Sequence, residues 1–174
     1  MDKIINFPVQ DGALLNEFHA GDLVKLNGTI YTARDQAHKL MSDLLENGLP
    51  LPFDLKGSAI YYCGPTPPRE DGLFGSAGPT TSARMDVFTP PLLKLGLKAT
   101  IGKGNRNKAV QEACRIYHSV YLITFGGAGA YLAKQIIKQR LIAFPDLGAE
   151  SIYDLETKDF PAIVGYDCFG GSIF

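Results

Sequence analysis

Leu97-Lys-Ala-Thr-Ile101, the segment Asn107 to Tyr117, and Val120-Tyr-Leu-Ile-Thr-Phe125 together decide the fold. The first and last are apolar runs of strand length. The segment between them sets Val110, Ala113, Cys114 and Tyr117 on one side of a helix. Strand, helix and strand in succession read as a crossover between parallel neighbours.

The alternation continues in both directions. Upstream, Leu23 to Tyr31 alternates apolar and polar residues as a half-buried strand does. Arg34 to Asn47 then reads as a helix with Ala37, Leu40, Met41, Leu44 and Leu45 in one stripe, ended by Gly48. Ser58-Ala-Ile-Tyr-Tyr-Cys63 is a further strand, with Tyr61 and Tyr62 as packing residues, stopped by Gly64-Pro65. Thr81 to Phe88 reads as a short helix, and Pro90-Pro91 opens another that ends at Gly96. Downstream, Gly126 to Gly129 turns into a helix from Ala130 to Lys138. Ala162 to Tyr166 and Ser172 to Phe174 flank Asp167 to Gly171 as a terminal hairpin. The expectation is one α/β domain over residues 1–174, parallel in the middle and antiparallel towards both ends.

Composition narrows the function classes. The 174 residues carry 17 basic and 18 acidic side chains, so no basic face for nucleic acid is expected. No apolar run reaches membrane-spanning length. Met1-Asp-Lys-Ile-Ile-Asn-Phe-Pro8 lacks the apolar core of a secretory signal, and a cytoplasmic location is expected. Cys63, Cys114 and Cys168 are widely spaced and odd in number, which argues against a disulfide framework. Three cysteines are enough for an iron–sulfur cluster with one open iron. The apolar surroundings of Cys63 and Cys114 favour a structural role.

Three junctions share one layout: a strand ends, small residues follow, and a cation stands near the next helix. They are Tyr31-Thr-Ala-Arg34, Gly78-Pro-Thr80-Thr-Ser-Ala-Arg84 and Ile101-Gly-Lys103-Gly-Asn-Arg106. Ligands of open α/β sheets favour the crevice beyond the carboxyl ends of the strands, where Arg34, Arg84 and Lys103 would meet. Arginine grips a carboxylate with two parallel hydrogen bonds, and lysine adds a point charge. The pattern leaves two readings, separate solvated cations or one shared anion site. With a helix starting at the Gly/Pro turn, Thr80 and Arg84 would lie four positions apart on one face. Asp35 and Asp86 read as orienting or capping groups, and His38 falls on the polar flank of its helix.

Nucleotide sites fit poorly. Gly96 to Lys103 has five residues between its glycines where a P-loop needs four, and Gly104 replaces the magnesium-binding hydroxyl. Gly126-Gly-Ala-Gly129 follows a strand as a dinucleotide fingerprint does, but Leu132 stands at the third glycine position. His19, His38 and His118 have no metal-ligand spacing.

Several blocks together resemble one family: Tyr31-Thr-Ala-Arg-Asp-Gln-Ala-His38, Leu51-Pro-Phe-Asp-Leu-Lys-Gly57, Ile60-Tyr-Tyr-Cys-Gly-Pro-Thr-Pro67, Gly75-Ser-Ala-Gly-Pro-Thr-Thr-Ser-Ala-Arg-Met-Asp86, Ile101-Gly-Lys-Gly104 and Asp159-Phe-Pro161. It is the C-terminal domain, or separate β subunit, of class I iron–sulfur fumarate hydratases and L-tartrate dehydratases. The resemblance runs from about Gly12 to Phe174. It implies a swivelling three-layer β/β/α domain with mixed sheets. It also implies hydro-lyase chemistry, fumarate to L-malate or L-tartrate to oxaloacetate, with a non-catalytic dicarboxylate-binding module as the alternative. A [4Fe–4S] cluster would be held by the partner α subunit and none by this chain, in an αβ heterodimer or heterotetramer. Carried over by motif, Arg34, Arg84 and Lys103 would bind the substrate and Thr80 would be the base. Gly78, Thr81, Asp35 and Asp86 would support them.

Overall fold

The computed structural model describes residues 3–174. Its regular elements in chain order are β1 (Lys3–Phe7), β2 (Leu23–Thr32), α1 (Asp35–Glu46), β3 (Ala59–Tyr61), α2 (Thr89–Lys94), β4 (Ala99–Gly102), α3 (Lys108–Ile116), β5 (Val120–Ile123), α4 (Gly129–Ala133), β6 (Ile136–Ala143) and β7 (Ile152–Tyr166). Short 3-10 segments cover Gly12–Glu17, Ser82–Met85 and Pro145–Glu150.

Strands β2, β3, β4 and β5 run parallel, each hydrogen-bonded to the next. Strand β7 runs antiparallel between β5 and β2, so five strands close a barrel-like ring in a mixed α/β fold. Both long strands serve two neighbours along one edge. Strand β2 pairs first with β1 and then with β3, while β7 pairs first with β6 and then with β5. The bend this requires in the β2–β7 pair falls at Gly28 and Asp159, both at positive φ, where Asp159 N donates to Asn27 Oδ1 at 2.7 Å.

Period-two alternation divides the strand residues between two cores. Leu26, Ile30, Tyr61, Ile101, Leu122, Leu155, Phe160 and Val164 fill one. Ile60, Tyr62 and Tyr121 face the other way, onto Ala37 and Met41 of α1, Leu92 and Leu93 of α2, and Val110 and Cys114 of α3. Each buried large apolar side chain stabilises the fold by about 1.5–3 kcal/mol. Helix α3 is capped by Asn107, whose side chain accepts from Val110 N at 2.9 Å. Among the described residues no helix is long and apolar enough to cross a membrane.

Four local expectations are corrected. The helix expected over Ala130–Lys138 is only Gly129–Ala133, because Ile136 onward pairs with β7 as strand β6. The strand expected at Ala162–Tyr166 is the end of a fifteen-residue strand, and Ser172 meets Tyr166 in a single bridge. The N-terminal end is parallel, with β1 running alongside β2 in the same direction. Thr81 to Phe88 holds one 3-10 turn, Ser82–Met85.

Candidate functional site

The parallel strands β2 to β5 all end on one rim, each leading directly into residues of interest. Arg34 follows β2, Gly64 follows β3, Lys103 follows β4, and Gly126 to Gly129 follow β5. The loop from Gly75 to Ser82 is laced across this rim. Tyr61 Oη donates to Ala77 O at 2.5 Å, and Ala77 N donates to Gly129 O at 3.0 Å. Thr80 N donates to Tyr62 O at 2.7 Å, and Thr81 bridges Lys103 in parallel register. Ser82 N donates to Lys103 O at 3.0 Å, and Lys103 N donates to Ser82 Oγ at 3.1 Å. The loop thus behaves as a short extra strand between the ends of β3 and β4.

Small residues make that approach possible. A Cβ on Gly129 would run into Ser76 Oγ and stand 3.1 Å from Gly78 N, and one on Gly102 would run into Ser82 Oγ. The Lys103 side chain passes the turn after β5, its Nζ 3.9 Å from where a Gly126 Cβ would sit.

The two arginines are joined to this rim through carboxylates. Arg84 Nη2 lies 2.8 Å from Asp35 Oδ2, and Asp35 is the first residue of α1, directly after Arg34. Arg34 Nε lies 3.9 Å from Glu150 Oε1. Arg34, Arg84, Lys103 and Thr80 therefore belong to one rim, linked by neighbouring chain and side-chain contacts. The shared helical face expected for Thr80 and Arg84 is not formed. The 3-10 turn begins at Ser82, and Thr80 precedes it with its N–H tied to Tyr62.

Residues 4–174 match the family model described as Fumarase C-terminus. The chain belongs to this family. It is 42% identical over 162 residues to fumarate hydratase 2 of Leishmania major, covering 92% of this chain and 28% of that protein. It is 38% identical over 164 residues to the aerobic class I fumarate hydratase of Escherichia coli K12, covering 93% of this chain and 30% of that protein. It is 39% identical over 166 residues to the putative L(+)-tartrate dehydratase subunit beta of Methanocaldococcus jannaschii, covering 92% of this chain and 85% of that protein. The chain spans under a third of the length of the two fumarate hydratases and most of the length of the tartrate dehydratase subunit.

In this fumarase C-terminus chain, Asp86 does not serve Arg84. It accepts from Arg106 Nε and, at 2.8 Å, from Asn107 N. Arg106, whose side chain is 0% exposed, also donates to Thr89 Oγ1 at 2.7 Å, Tyr62 Oη at 3.2 Å and Thr100 Oγ1 at 3.2 Å. Its guanidinium lies 5.1 Å from the Tyr62 ring centre and 5.0 Å from that of Tyr121. Burial opposes the charge, yet the facing Tyr62 and the Asp86 carboxylate outweigh it and keep the group cationic. This hub fastens the segment behind Arg84 to the segment behind Lys103. The sequence reading placed Arg106 only at the end of the Ile101 to Arg106 junction, just before the helix from Asn107.

His38 is buried, which corrects its assignment to the polar flank of α1. Its Nδ1 donates to Arg34 O at 2.8 Å, and its ring packs on Tyr62 and Phe88. Burial pushes its pKa down to about 4, the hydrogen bond to Arg34 O opposing only in part. It is a neutral prop beneath Arg34.

The cysteines do not suit an iron–sulfur cluster. Cys63 and Cys114 lie in different cores, and Cys168 packs at Leu15 and Asn16. Burial pushes the Cys63 and Cys114 thiols up to about 12, away from the thiolate that ligation requires. Among the described residues no group of three or more His, Cys, Asp or Glu is placed to hold a metal ion.

Proposed function

We propose that this chain is the β-type component of a hydro-lyase that interconverts fumarate and L-malate. What supports the reading is the rim, where the segments that carry Thr80, Arg34, Arg84 and Lys103 lie at the ends of the parallel strands. Family membership and the subunit-length match to the tartrate dehydratase β subunit support it.

In this reading Arg34 and Arg84 hold the two carboxylates of a four-carbon diacid, and Lys103 adds a third positive contact. Dehydration removes a weakly acidic C–H proton beside a carboxylate. Negative charge grows on that carboxylate, and cations already in place stabilise it by ~3–4 kcal/mol per key donor. Thr80 takes the proton at its hydroxyl oxygen as its own O–H proton passes to a neighbouring carboxylate. Because a lone threonine is a weak base, a carboxylate from the partner completes the pair. A [4Fe–4S] cluster on the α-type partner supplies the Lewis acid for the departing hydroxyl.

The assembly is an αβ heterodimer or its dimer, in which residues 1–174 act as one swivelling unit. Two cores on opposite sides of the strands accord with a three-layer arrangement. Three free, buried cysteines accord with a reducing, cytoplasmic compartment.

L-Tartrate dehydration is the second reading, favoured by the 85% coverage of a separate tartrate dehydratase β subunit. Tartrate differs from malate by one hydroxyl, and one polar contact would decide between them. The test is anaerobic reconstitution with a cluster-bearing α-type partner and rates on L-malate and L-tartrate. Turnover of neither, with the complex formed and the cluster intact, leaves only a dicarboxylate-binding module.

A further inference from the structure

Arg34 is threaded through a clamp. On one side, a Cβ on Gly64 would stand 2.6 Å from Arg34 Nη1 and 3.3 Å from Ala149 O, so the glycine lets the guanidinium keep this place. On the other side stands Glu150. Arg34 Nε and Glu150 Oε1 face each other at 3.9 Å, both atoms are buried, and neither has a hydrogen-bond partner. The two side chains are 27% and 17% exposed, so the pairing is local to these two buried atoms, where each faces the other as its nearest opposite charge.

The chain holds them there from both directions. Two residues before Arg34, Thr32 Oγ1 donates to Ser151 O at 3.2 Å and accepts from Tyr153 N at 3.0 Å, which straddles Ile152, two residues after Glu150. Ser151 Oγ donates to Phe144 O at 2.8 Å and so closes the loop that carries Glu150. Gly148 within that loop has a φ of 60° and a ψ of −119°, a turn suited to glycine that swings Glu150 back towards α1.

From this geometry we infer that Glu150 is the positioning residue for Arg34: it occupies the Nε edge of the guanidinium and leaves the Nη1/Nη2 edge for a substrate carboxylate. The inference rests on the rim being a dicarboxylate site. It adds an orientation, because the carboxylate is then met end-on by the two terminal nitrogens. Glu150 touches no substrate.

The test compares Glu150→Gln, Glu150→Asp and Arg34→Ala in the assembled enzyme with L-malate as probe, and reads the Arg34 Nε–H resonance of the free chain by NMR. Glu150→Gln keeps the shape and removes the charge. It is expected to raise KM on the order of tenfold with a smaller change in kcat, and to shift the Nε–H resonance. Glu150→Asp, which restores the charge, is expected to recover part of the KM. A purely structural role would lower the melting temperature and leave KM and the resonance in place. Unchanged KM and resonance in Glu150→Gln, with Arg34→Ala still impaired, overturns the clamp alone. An Arg34→Ala enzyme with native KM overturns the reading of the rim, and the clamp with it.

Discussion

Asp35 Oδ2 sits 2.8 Å from Arg84 Nη2, so the residue that follows one cation of the rim holds the other. The pair spans the gap between α1 and the 3-10 turn at Ser82–Met85, and its side chains are 38% and 50% exposed. At that exposure an ion pair contributes about 0–1 kcal/mol to stability, so its value here is directional. Asp35→Asn is expected to move the melting temperature by no more than about 4 °C. It is expected to raise KM for the dicarboxylate several-fold as Arg84 loses its orientation. A thermal melt beside a Michaelis curve checks both, and a large melting shift with native KM would make the pair structural.

Arg106 and Asp86 behave differently because the Arg106 side chain is fully buried. Asp86→Ala strands that guanidinium among Tyr62, Thr89, Thr100 and Tyr121 and is expected to cost about 3–5 kcal/mol. Replacing both members by apolar residues, Asp86→Leu with Arg106→Met, is expected to recover much of that loss. The double variant would still loosen the tie between the Arg84 and Lys103 segments, so turnover falls although stability returns. Urea unfolding and kcat on the same preparations separate the two effects.

Strand β2 and helices α1 and α3 were legible from the periodicity of their apolar residues, and β3 to β5 as short apolar runs buried on both faces. Strand β6 was not. Its residues alternate only weakly between Ile136, which is buried, and the exposed Ile137 and Lys138, because it lies outside the ring against β7 alone. The carboxyl-end rim was legible because junctions repeat along the chain. Its supports were hidden by sequence distance, since Arg106 meets Asp86, Tyr62 and Thr89 at separations of 20, 44 and 17 residues. His38 was misplaced for a related reason: it projects onto Tyr62 and Phe88, which come from other segments. Periodicity reports which face of an element is apolar, and it says nothing about a polar ring buried by its neighbours.

Acid should destabilise the fold through His38. Its folded pKa is about 4 against an unfolded value of 6.5, so the unfolded chain takes up the proton first as pH falls. Stability from the neutral ring is complete above pH 6.5 and declines as pH drops towards 4, by about 3 kcal/mol for this residue. The groups facing the ring give no compensating charge strong enough to reverse this. Arg106 opposes protonation, Asp35 favours it weakly, and Tyr62 and Phe88 are neutral. Urea melts at several pH values across that window should show the decline, and His38→Gln should flatten it. An equal decline in the variant would place the titration elsewhere.

Thr80 offers the sharpest division between framework and chemistry. Its N–H is committed to Tyr62 O at 2.7 Å and its neighbour Thr81 bridges Lys103, so the backbone there is fixed whatever the side chain. Thr80→Val keeps the branched shape and removes only the hydroxyl. It is expected to lower kcat by about two orders of magnitude or more, with KM nearly unchanged because the proposed carboxylate contacts of Arg34, Arg84 and Lys103 are left in place. Thr80→Ser returns the hydroxyl to the same backbone position and should retain most of the rate. Solvent exchange of the malate C–H hydrogen should fall in parallel with kcat in Thr80→Val, since both need the proton to leave. A Thr80→Val enzyme that turns over and exchanges at the native rate would move the base to another group and leave this hydroxyl as a spacer between the ends of β3 and β4.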